Sequence, residues 1–106
     1  MKTSELVGAQ LDYAVGRAEE RFDELDFEAI PPQFRGNINY STDWALSGSI
    51  IEREGIDLKR VNDILWDAHS HNVAFYESGS TPLVAAMRCY VASKLGDEVE
   101  IPEELK

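Results

Sequence analysis

The sequence predicts a small α+β domain, and three observations carry that reading. The segment Pro82 to Leu95 is apolar almost all round, with Thr81 before it and Gly96 after it. That pattern marks a capped helix at the centre of a fold. A second segment, near the N-terminus, carries an apolar arc at helical spacing. Between them lie short stretches punctuated by glycine and proline, some of which alternate apolar and polar as strands do. The expected architecture has two main helices, about 4–22 and 82–95, a few short strands, and a short capped helix at about 50–54. The 106 residues bury roughly two-thirds of their unfolded surface, which suffices for one modest core. One domain over 1–106 is expected, with a short acidic tail from about 97.

In the first helix, Val7, Leu11, Ala14, Val15, Ala18 and Phe22 share one face, and Thr3 or Ser4 is the expected cap. Leu6, Ala9 and Tyr13 form a smaller apolar patch off that face. Gly8, Asp12 and Gly16 line another strip, suited to close approach of a backbone or to a partner. An acidic stretch, Glu19 to Glu28, leads to Pro31-Pro32, which ends any helix. Asn37 to Tyr40 reads as a short strand. Ser41-Thr42-Asp43 supplies turn or cap chemistry. Ser49-Ile50-Ile51-Glu52 reads as a capping box and Gly55 as the stop of the short helix.

Ile56-Asp57-Leu58 alternates and opens a strand. From Asp57 to His71 two readings stand. Leu58, Val61, Leu65 and Ala68 sit at helical spacing, which favours a helix, while Ile64 to His69 equally begins a strand. Val73 to Tyr76 is a strand candidate. In the last helix Thr81 caps, Pro82 takes the first position, and the small residues Ala85, Ala86, Cys89 and Ala92 admit a close neighbour, the first helix. Val99 to Ile101 reads as an edge strand or extended tail.

Composition excludes several function classes. Ten Lys and Arg stand against twenty Asp and Glu, a formal net charge of −10. That balance opposes direct binding of nucleic acid, since few cations are available to displace phosphate counterions. No apolar run is long enough to span a membrane. Met1 to Gly8 lacks the charged-then-apolar order of an export signal. A single cysteine, Cys89, gives no intrachain disulfide framework. No phosphate-binding glycine loop, dinucleotide fingerprint or zinc-ribbon spacing occurs, and no cofactor is expected.

Asp67-x-His69-x-His71 is the candidate metal motif. On a strand the three side chains share a face; on a helix they diverge, and they read as solvated surface groups. Cys89, in mid-helix, reads as a small buried residue rather than a nucleophile. Arg88 reads as a clamp to Glu52, Glu54 or Asp43, with anion binding as the other use of arginine. Glu52 is absorbed by its capping box, so Glu52 and Glu54 do not form an acid/base pair. Asp43-Trp44 is either a recognition corner or a self-tied turn beside a core tryptophan.

Several blocks resemble the phage NinX-like family. These are Lys2 to Leu6, Leu11 to Val15, Tyr40 to Ala45, Ile50 to Ile56, and Thr81-Pro82-Leu83 through Val99. They cover about half the chain, in family order. Ser49 and Ser80 stand where the family carries proline, and both suit helix starts. Glu19 to Asn39 and Asp57 to Ser78 match poorly and are where partner specificity would lie. The resemblance implies a lambdoid phage or enterobacterial prophage origin and the bacterial host cytoplasm, and it transfers no catalytic residue.

The expected function is therefore a non-enzymatic accessory module that binds a host or phage protein. Leu6, Ala9, Tyr13, Asp43, Trp44 and Arg88 are its candidate contacts. A homodimer is expected through the Leu6 patch or the small-residue side of the last helix. Two rivals stand beside it: an acidic mimic of nucleic acid that occupies a DNA-binding protein, and a small metal-dependent ligand binder or enzyme.

Overall fold

The computed structural model describes residues 1–19, 38–70 and 75–105. Among these residues the order is a 3-10 turn Thr3–Glu5, α1 Gly8–Ala18, α2 Trp44–Glu54, β1 Ile56–Asn62, β2 Leu65–Ser70, β3 Tyr76–Gly79, α3 Pro82–Leu95 and a 3-10 turn Glu103–Leu105. The architecture is α+β, as expected. The three strands form an antiparallel sheet in the order β1-β2-β3.

Helix α3 packs on one face of the sheet, and α1 packs on α3. Leu83 through Met87 are buried without interruption, as are Cys89 through Ala92. A helix sandwiched between a sheet and a second helix has little solvent face, which is why its sequence shows little periodicity. Thr81 Oγ1 accepts from the Val84 N–H at 3.1 Å, and Pro82 occupies the first turn, as the sequence indicates. Gly79 is the closest point of sheet to helix. A Cβ there would stand 2.7 Å from the Ala85 amide nitrogen, so only glycine fits.

Helix α1 begins at Gly8, not at residue 4. Gly8 has φ +53° and turns the chain, and neither Thr3 nor Ser4 caps the helix. Thr3 instead donates through Oγ1 to the Gly96 carbonyl at 2.6 Å. Leu11, Ala14 and Val15 are core residues as expected, while Val7, before the turn, is exposed. Phe22, most of the acidic stretch and Pro31-Pro32 lie outside the described residues. Of Asn37 to Tyr40, residues 38–40 form no strand; Ile38 and Tyr40 are buried beside a turn.

Helix α2 is longer than the expected 50–54 and starts six residues earlier, at Trp44. Asp43 is its cap, accepting from the Ala45 and Leu46 N–H groups at 2.9 and 3.3 Å. Ser49 therefore sits in mid-helix, and the capping-box reading fails. Gly55, at φ +63°, stops the helix in the left-handed conformation as expected.

The helical reading of 57–71 is corrected, over the described residues 57–70, to two strands and a tight turn. Asn62 Oδ1 accepts from the Ile64 N–H at 2.9 Å, closing the turn between β1 and β2. Ile56, Leu58, Trp66, Ala68 and Ser70 alternate toward α3, and Asp57, Lys59, Asp67 and His69 toward solvent. Burying the apolar surface of α3 requires a sheet face, and that need overrides the helical spacing. Residues 73 and 74 lie outside the described residues; Tyr76 opens β3.

The segment after Gly96 is an integral part of the fold. Val99 and Met1 exchange backbone hydrogen bonds at 2.9 and 3.0 Å, and Lys2 bridges Glu98. Val99 and Ile101 are buried.

Candidate functional site

Two helix starts meet at one surface cleft. It has a volume of about 260 Å³ and is lined by Ser41, Thr42 and Trp44 at the head of α2 and by Thr81, Pro82 and Leu83 at the head of α3. None of these six side chains is charged, in a chain of net −10. Trp44 is 52% exposed, so its indole is a large apolar surface beside a hollow.

The local chemistry explains this position. Asp43 must lie at the N-cap to satisfy the first amides of α2, which places Trp44 on the first turn. Ser47 Oγ donates to the Tyr40 carbonyl at 2.6 Å, and the Ser41 N–H donates to Asp12 Oδ1 at 2.8 Å. These bonds pin the 40–43 turn to α2 and α1. On the other wall, Thr81 caps α3 and Pro82 holds its first turn rigid. The caps take up the Ala45 and Leu46 amides on one wall and the Val84 amide on the other, and with every lining side chain uncharged the cleft suits an apolar group. Asp43 thus ties its own turn, while Trp44 stands outside the core and lines the cleft.

Other candidate residues lie elsewhere. Leu6 and Tyr13 are 0% and 3% exposed, so with Ala9 they do not make an accessible patch. The turn at Gly8 separates Leu6 from the helix and drives it into the core. Arg88 pairs with none of Glu52, Glu54 or Asp43. Its Nε donates to the Leu6 carbonyl and its Nη1 to the Ser78 carbonyl, each at 2.9 Å, which joins the N-terminal segment to β3. Desolvation pulls the Arg88 pKa below its usual value, while the nearby Glu77 carboxylate opposes the shift.

The clamp expected of Arg88 is made by Arg53. Its guanidinium reaches Glu19 at 2.6 Å, Glu54 at 2.8 Å and the Tyr90 hydroxyl at 3.1 Å, and lies over the Tyr90 ring. The Tyr90 hydroxyl also donates to Glu19, and burial with that carboxylate drives its pKa upward. Arg53 therefore links α2 to the end of α1 and to α3.

Asp67 and His69 share the solvent face of β2, as a strand dictates, while His71 lies outside the described residues. Among the described residues no group of three His, Cys, Asp or Glu side chains is arranged to hold a metal ion. Cys89 is fully buried; desolvation pushes its thiol up to about 11, and Sγ lies 3.6 Å from the Phe75 carbonyl. A thiol so shielded and so weakly acidic is a poor nucleophile. The sequence reading did not reach Ser41, Thr42, Thr81, Pro82 and Leu83 as neighbours of Trp44. The start of α3 was legible; that of α2 was expected at Ser49 rather than Asp43, and nothing local marks their meeting.

The chain matches the protein family described as Bacteriophage P22, NinX, over residues 2–94. No curated protein matches it. No described helix is long and apolar enough to cross a membrane.

Proposed function

The chain belongs to the bacteriophage P22 NinX family, and from that premise we propose that this phage accessory protein is a protein-binding module acting in the bacterial host cytoplasm. Its contact is the cleft at Trp44. One observation carries the reading: a half-exposed tryptophan beside an uncharged cleft, on two helix starts that each carry a side-chain cap. Tryptophan is the residue type most enriched among the energetic centres of protein interfaces. The occupant is an apolar side chain of a host or phage protein, seated between Trp44 and Leu83.

Affinity capture from phage-infected host lysate, at low and at high salt, tests this reading with Trp44→Ala as the control. Because Trp44 is exposed, the variant keeps its fold, which circular dichroism checks. A specific partner that survives high salt and is lost with Trp44→Ala supports the cleft. A basic partner lost at high salt but kept by Trp44→Ala overturns it in favour of charge mimicry. No partner under either condition overturns it outright.

A further inference from the structure

We infer that the outer edge of β1 pairs with the same edge of a second copy of this chain, antiparallel and centred on Leu58, to make a continuous six-stranded sheet. The sheet order leaves β1 and β3 at its two edges. The β3 edge is short and engaged, since the Ser78 carbonyl accepts Arg88 Nη1. The β1 edge is longer, and no described strand pairs with it. An unpaired strand edge is a template for pairing with another chain.

The register follows from the backbone. The Ser70 N–H donates to the Phe75 carbonyl at 2.9 Å, so the Ser70 peptide groups point toward β3. Ile56 lies opposite Ser70 on the other side, so its own N–H and C=O point outward, as do those of Leu58 and Arg60 at period two. The regular ladder runs from Ile56 to Arg60; Gly55 turns the chain before it, and the register slips between Arg60 and Asn62. Leu58 is the midpoint of that stretch.

A two-fold axis at Leu58 sets Asp57 of each copy opposite Lys59 of the other, on the solvent face. Both are exposed and neither has a described ion-pair partner. These cross-strand positions are not hydrogen-bonded to each other, the geometry in which side chains approach most closely. Shifting the centre by one residue sets Asp57 against Asp57, or Lys59 against Lys59. The charge pattern therefore selects one register. Arg60 is already paired with Asp63, which leaves Asp57 and Lys59 to balance each other, so the β1 edge is locally neutral in a chain of net −10.

Sedimentation velocity over a concentration series tests the pairing, with circular dichroism as the check on folding. The expected result is a monomer–dimer equilibrium. Asp57→Lys weakens the dimer by about tenfold or more, because two attractive pairs become repulsive, even though the variant lowers the net negative charge. Asp57→Lys with Lys59→Asp restores the dimer, since the pairs are exchanged. Leu58→Pro removes an outward N–H without touching the β1–β2 ladder and also gives a monomer. In hydrogen exchange, the amides of Ile56, Leu58 and Arg60 gain protection with concentration. A monomer at every concentration overturns the inference, as does a dimer indifferent to Asp57→Lys and Leu58→Pro. Failure of the exchanged pair to restore the dimer overturns the register.

Discussion

Asp12 accepts the Ser41 N–H from a partly buried position on α1, and desolvation raises its pKa above the ordinary carboxylate value. The folded state therefore holds this proton to a higher pH than the unfolded chain does. Asp12 costs stability above its raised pKa, and that cost fades as pH falls toward the usual range. Asp12→Asn keeps the acceptor and loses the charge. It is expected to be more stable than the parent at neutral pH, with the difference shrinking on acidification in thermal melts. Asp12→Ala leaves the Ser41 amide without its acceptor and is expected to cost about 1–3 kcal/mol. Cys89 gives a second test at this scale. With its thiol pushed up to about 11 and fully buried, it is expected to resist alkylation in the native protein and to react on unfolding. Rapid native labelling would contradict the burial.

Helix α2 separates two caps that look equally good in sequence. Asp43→Ala removes the acceptor for the Ala45 and Leu46 amides and is expected to cost about 1 kcal/mol. Ser49→Ala, in mid-helix, is expected to be neutral or slightly stabilising. Urea titrations of the two variants check the contrast, and the reverse order would restore the capping box. The sheet teaches a related lesson. The spacing of Leu58, Val61, Leu65 and Ala68 fits a helix, yet Asn62-Asp63 between two alternating stretches is also a turn signal. Local pattern left both readings open, and the buried face of α3 decided between them. At Gly79, where that helix meets β3, Gly79→Ala drives a methyl against the backbone of Ala85. It is expected to cost about 2 kcal/mol, read as a lower midpoint of thermal unfolding.

Across the whole molecule the two ends of the chain are one unit. Met1 and Val99 exchange hydrogen bonds, the Thr3 amide donates to the Asp97 carbonyl at 2.8 Å, and Gln10 donates to the Leu105 carbonyl at 2.9 Å. Truncation after Gly96 removes these partners and the buried Val99 and Ile101. Fully burying such a side chain contributes about 1.5–3 kcal/mol, so the truncated chain is expected to melt well below the full one. An unchanged melt would make the segment a dispensable tail. The same closure explains Arg88, which ties the Leu6 carbonyl to β3 from the middle of α3. No spacing in the sequence relates residues 6, 78 and 88.

The sequence by itself determined what depends on neighbours along the chain. The caps of α3, the left-handed stop at Gly55, the turn chemistry of Asp43 and the fold class follow from local hydrogen bonding and hydrophobic periodicity. Tertiary structure decided everything that depends on which distant groups become adjacent. It buried Leu6 and Tyr13, exposed Trp44, made Arg53 rather than Arg88 the clamp, and joined two helix starts into a cleft. The physical reason is that burial and long-range hydrogen bonds are properties of packing. A residue's own neighbours in sequence fix its backbone preference, but not the surface it meets once the chain has closed.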